Sequence, residues 1–157
     1  MGKRVPNETA PAVFHLLSVS PADADHDYWE RMVARPEWSG STAVHWKVRR
    51  RATLKSALAA MRGGRVPIVI CDSDAAPGTW IAMLDQIAPL DEAPYLIVTS
   101  RTADERLWAE ALNRGAYDVL AKPFDREEVD RVVTAAWLRW THRHDAPAPF
   151  SSLRSAS

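Results

Sequence analysis

The chain has one cysteine, Cys71, in 157 residues. A single thiol closes no internal disulfide, so packing must hold the fold, and a reducing compartment suits it. Long apolar runs are also missing. None approaches the roughly 18 residues of a membrane-spanning helix, and Met1 to Pro11 lacks the apolar stretch of a secretory signal. Neither sign of charge is in excess, with 20 Lys and Arg against 20 Asp and Glu, which argues against a nucleic-acid-binding surface as the main feature. The local exception, Lys47 with Arg49, Arg50 and Arg51, reads as a solvated strand end rather than a phosphate-binding patch. There is no internal repeat. No glycine-rich phosphate loop follows the first apolar run. These absences point to a cytoplasmic protein with neither nucleic acid nor membrane as partner.

Apolar residues make up 46% of the chain, enough for one domain to bury a full core. Residues 1–11 and 145–157 are polar, proline- or serine-bearing and without period, and are expected to be flexible tails around a domain at 12–144. Within it, short apolar runs alternate with helical stripes. Val13 to Val19 is the first strand, stopped by Pro21. Tyr28, Trp29, Met32 and Val33 share a helix face that ends before Pro36. Val44, Trp46 and Val48 alternate with polar residues, as in a half-covered or edge strand. Leu54, Ala57, Leu58 and Met61 form the next stripe, closed by Gly63-Gly64. Val66 to Cys71 and Tyr95 to Val98 are apolar on both faces, as in central parallel strands.

Thr79 is the expected N-cap of a third helix, and Thr102 the expected start of a fourth that ends at Gly115. Val119 to Ala121 is a short fifth strand. Asp125 and Glu128 open the last helix as a capping box. Trp29, Trp80, Trp108 and Trp137 lie on apolar stripes and are expected in the core. Trp38 and Trp140 are the candidates for a partner surface. His15, His26, His45, His142 and His144 show no ligand spacing. Five strands alternating with five helices predict an α/β doubly wound parallel sheet. In such sheets the site lies beyond the carboxyl ends of the strands. Those ends are Ser20, Asp72, Thr99 and Lys122.

The stretch Pro94 to Phe124, reading PYLIVTSR, a helix, then GAYDVLAKPF, resembles the receiver domains of two-component response regulators. The likeness extends over about Ala12 to His142. It implies a flavodoxin-like (βα)5 fold with strand order 2-1-3-4-5. It also implies that Asp72 is the phosphoacceptor position, with Asp74 as rival because Pro77 falls one residue late for Asp72. Thr99, with Ser100 as fallback, would contact a phosphoryl oxygen, and so would Lys122 as a point charge. A cis peptide bond is implied between Lys122 and Pro123.

Two positions depart from that family. Where two adjacent acids would hold magnesium at the end of strand one, this chain has Ser20 and Pro21. One carboxylate and one lysine sum to about zero charge, so Mg²⁺ binding is expected to be weak or absent and no cofactor is expected. Asp23 and Asp25 are nearby, but the first turn of helix one suits them better as partners of the helix dipole. The switch position three residues before Lys122, aromatic in many members, is Val119. Tyr117 lies two residues earlier, on the same side by strand alternation.

The reading is a non-enzymatic, stand-alone receiver, because only 15 residues follow His142. It would act by contact with a protein partner, a histidine kinase or a downstream signalling protein, through helix four, strand five and helix five, with impaired phosphorylation. The alternatives are a working phosphoacceptor with an altered metal site, and a small-molecule-binding or enzymatic domain on the same fold. Oligomeric state is left open.

Overall fold

A computed structural model describes residues 12–36, 38, 44–74, 76 and 78–144. Both expected tails and Pro77 lie outside the described residues. Five strands alternate with five helices: β1 (Ala12–Val19), α1 (Asp23–Val33), β2 (Val44–Arg51), α2 (Leu54–Ala60), β3 (Arg65–Asp72), α3 (Thr79–Ile87), β4 (Tyr95–Ser100), α4 (Glu105–Arg114), β5 (Asp118–Ala121) and α5 (Arg126–His144). The strands pair in parallel in the order β2-β1-β3-β4-β5. This is the doubly wound parallel sheet that the alternation predicts, in the flavodoxin-like (βα)5 order that the resemblance implies. Among the described residues no helix is long and apolar enough to cross a membrane.

The sheet separates two cores. On one face Leu17, Val19, Val69, Cys71, Val98 and Val119 meet α2, α3 and α4. On the other Phe14, Leu16, Ile68, Ile70, Ile97 and Leu120 meet α1 and α5. Alternate residues of one strand enter opposite cores, which is why β3 and β4 read as continuous apolar runs. Edge strand β2 needs only one apolar face, and there Trp46 is buried while His45 and Lys47 are exposed. The proline inside central strand β3, Pro67, falls where the β1–β3 register shifts between Phe14 and Leu16. A residue without an N–H is tolerated at such an irregularity because no ladder bond is lost there.

Four expectations need correction. Thr79 is the first residue of α3, whose N-cap is Gly78 with no side-chain cap bond. Thr102 does not start α4; Asp104 caps it, accepting from the Leu107 N–H at 2.9 Å. Trp140 is fully buried, edge-on to Phe14 and under the Arg65 guanidinium at 4.9 Å, so it offers no partner surface. Trp38 is half-buried against Trp46. Tyr117 packs with the α1 and α5 core while Val119 enters the other. It precedes β5, where strand alternation does not apply, and its ring lies 5.1 Å from that of Tyr95.

The basic run of β2 is used internally. Arg49 donates to the carbonyls of Ala60, Arg62 and Gly63 at the end of α2, and Arg50 pairs with Asp27 and Glu30 of α1. Cys71 is wholly buried, and burial first, then the charge of Asp72, pushes its thiol pKa up to about 12. Only the thiolate is nucleophilic. Alkylation of Cys71 by iodoacetamide at neutral pH should therefore proceed no faster than unfolding. Rapid modification of the native protein would refute this placement.

Candidate functional site

Parallel register carries the strand ends to one edge of the sheet. Val19 pairs with Cys71, so Ser20 comes level with Asp72. Asp72 pairs with Thr99, and Ser100 with Ala121. The Lys122 N–H then donates to the Ser100 carbonyl at 2.9 Å, and the Lys122–Pro123 bond is cis, as the resemblance implies. The four residues expected at the strand ends are thus brought together. A cleft of about 330 Å³ opens over them, lined by Pro21, Ala22, Asp25, Asp72, Asp74, Arg101 and Lys122.

Lys122 is the centre of the cluster. Its Nζ lies 2.6 Å from Asp72 Oδ1, 2.9 Å from Asp25 Oδ2 and 3.7 Å from Asp74 Oδ2. The side chain of Asp72 is only 4% exposed, and those of Lys122 and Asp25 are 13% exposed. Burial alone would lower the lysine pKa. Hydrogen bonds and charge from Asp72 and Asp25 outweigh it and hold the ammonium above its ordinary value.

The two acids at the end of β3 separate cleanly. Asp72 sits against Lys122 and opposite Thr99, whose side chain is buried. Asp74 is a quarter exposed, and its carboxylate accepts from Ser100 Oγ at 2.9 Å and from the Arg101 N–H at 3.0 Å. The rival acid and the fallback hydroxyl therefore bond each other.

Asp25 corrects the expectation for the first turn of α1. It lies in that turn, but its carboxylate points into the site, accepting from Ser20 Oγ at 2.7 Å as well as from Lys122. Asp23 is exposed. Three carboxylates and one ammonium give a formal −2, not the zero that one acid and one lysine suggest. Sequence reasoning also missed His26, which is 4% exposed. Its Nε2 lies 2.9 Å from the Ser20 carbonyl, which can only accept, so Nε2 donates there, and Nδ1 lies 2.8 Å from the Ser18 hydroxyl. This pins the end of β1 to α1.

A magnesium ion needs oxygens converging on one point at about 2 Å. Here the carboxylates converge on an ammonium, and the end of β1 contributes Ser20 and Pro21. Among the described residues no three Asp, Glu, His or Cys are placed to share a metal.

The fold and this edge define a receiver-type signalling module. The chain belongs to the response regulator receiver domain family, whose profile matches residues 41–134; the match begins after β1 and α1. Over 96 residues, 60% of the chain, it is 36% identical to the transcriptional regulatory protein ZraR of Escherichia coli strain K12, and covers 21% of that protein. The chain thus spans about a fifth of the length of this curated relative. Among solved structures it is similar to a CheY-like response regulator receiver domain protein from Methanospirillum hungatei JF-1, with TM-score 0.67 and 17% identity, over 84% of this chain and 99% of that one. A signal receiver domain of an HD domain-containing protein from Pseudomonas fluorescens Pf-5 gives TM-score 0.66 and 18% identity, over 85% and 98%. At these identities the two structures speak for the fold. Receiver domains are modules of two-component signalling that interact with kinases or other signalling proteins.

Proposed function

We propose that this receiver signals by contact with a partner protein, and that phosphoryl transfer to Asp72 is impaired because Lys122, not a metal, is the cation paired with Asp72. The carrying observation is the Asp72–Lys122–Asp25 cluster, buried and already charge-paired. Phosphoryl transfer depends on neutralising charge on the moving group. Here the only ammonium of the cluster is committed to two carboxylates, and Ser20 and Pro21 leave the end of β1 without a metal ligand. Asp72 holds the phosphoacceptor position, with Thr99 and Lys122 as the groups a phosphoryl would meet. Val119, fully buried among aliphatic side chains, holds the switch position without an aromatic ring to rotate. The output is a protein-binding one, with no reaction of its own, in a reducing cytoplasm that suits the lone thiol.

The test is incubation with an acyl phosphate and low-millimolar Mg²⁺, followed by intact mass spectrometry. Slow, substoichiometric labelling with no Mg²⁺ dependence is expected. Rapid stoichiometric labelling that Asp72→Asn abolishes would show a working phosphoacceptor instead.

A further inference from the structure

We infer that Asp25 is a built-in restraint on Asp72: by holding the Lys122 ammonium from the α1 side, it withholds that cation from an incoming phosphoryl group and adds negative charge against the donor. The inference rests on the reading of Asp72 as acceptor position and assigns its regulation to a residue on a different element.

Three observations carry it. First, Asp25 and Asp72 grip the same Nζ from opposite elements, α1 and β3, at 2.9 and 2.6 Å. A lysine shared in this way cannot follow a phosphoryl group without leaving one carboxylate unpaired in a site where all three side chains are mostly buried. Second, Asp25 does not swing freely. Ser20 Oγ donates to the same oxygen that Lys122 contacts, Oδ2. Ser20 is itself fixed: Ala22 N–H donates to its Oγ at 3.0 Å, its own N–H bonds Arg51, and its carbonyl accepts from His26. Third, Asp25 adds one negative charge to the path of an anionic donor, beside Asp72 and Asp74.

The step that is restrained balances simply. A carboxylate oxygen of Asp72 attacks the phosphorus of an acyl phosphate. The bond from phosphorus to the acyl oxygen breaks, and the donor's carboxylate leaves with the electron pair. A mixed carboxylic–phosphoric anhydride remains on Asp72. Removing the Asp25 charge leaves Lys122 hydrogen-bonded to Asp72 alone, with Asp74 at 3.7 Å, and lowers repulsion of the anion. In this partly dry cleft the change is worth about tenfold or more in rate.

The experiment compares acyl phosphate labelling of the parent, Asp25→Asn and Asp23→Asn, the last making the same charge change on an exposed residue of the same turn. Asp25→Ser serves as a second variant should the amide fold poorly. Asp25→Asn, Asp72→Asn identifies the labelled residue. The inference expects labelling at Asp72 to accelerate about tenfold or more in Asp25→Asn and to stay unchanged in Asp23→Asn. It also expects the Lys122 side-chain ammonium, followed by NMR, to titrate at lower pH in Asp25→Asn, which a merely structural role would not produce. Equal rates in Asp25→Asn and the parent, labelled or not, overturn it, as does equal acceleration by Asp23→Asn. The proposal of impaired transfer fails separately, if the parent itself labels rapidly.

Discussion

Lys122→Met should destabilise the protein by roughly 3 kcal/mol at neutral pH, because it leaves Asp72 and Asp25 buried without their cation. The methionine stem fills much of the lysine volume, so packing loss is minor and the deficit is mostly electrostatic. Adding Asp72→Asn removes one of the stranded charges and should recover about 1–2 kcal/mol. A double-mutant cycle by urea denaturation measures that coupling, and a coupling near zero would reject the pair. The pH dependence has a defined sign. The folded pKa of Lys122 lies above its ordinary 10.5, so its stabilising contribution is complete below about pH 10.5 and is lost as pH rises through the folded value. The parent should therefore lose stability on the alkaline side through this group. Lys122→Met should lack that component and show its full deficit throughout the neutral range.

The second large effect is a gain. Ser20→Asp with Pro21→Asp should create Mg²⁺-dependent stability where the parent has none. Position 20 comes level with Asp72 in adjacent parallel strands, about 5 Å apart. The Ser20 hydroxyl already touches Asp25 at 2.7 Å, so a carboxylate there meets two others. Without a cation this is repulsive, and replacing Pro21 loosens the entry to α1. A loss of roughly 2 kcal/mol is expected in chelator. A dication shared with Asp72 reverses it, since saturating ligand at 100 times its Kd contributes about 2.7 kcal/mol. For a chain of this length that is a rise in Tm on the order of 5–10 °C. A folded double variant with no Mg²⁺-dependent shift would mean that position 20 is not beside Asp72.

The strand ends were legible because parallel sheets collect them: Asp72, Thr99 and Lys122 each end an apolar run. The cis bond and the strand order came from the resemblance, not from periodicity. Asp25 was misjudged because acids in a first turn satisfy the helix dipole whichever way they face. Helix phase held the missing signal. Asp25, Trp29 and Met32 are spaced i, i+4, i+7, so Asp25 extends the buried stripe, with His26 three residues before Trp29. The same phasing would have placed Trp140 with Val129, Val132, Val133 and Ala136 inside the core. The caps at Gly78 and Asp104 were missed because several small polar residues compete at each start, and composition does not rank them. Tyr117 shows the limit of period two: alternation stops where the strand does.

Helix termini ordinarily open first, since their outer N–H groups are bonded to water and few contacts oppose fraying. The first turn of α1 is different. Asp25 ties it to Lys122 after β5 and to Ser20 after β1, and His26 ties it to Ser18 within β1. Unwinding that turn would pull a carboxylate away from a buried ammonium. The opening of that turn and the release of Lys122 from Asp25 are therefore coupled. A partner that gripped α1 and drew out its first turn would free one side of the Lys122 ammonium without touching it.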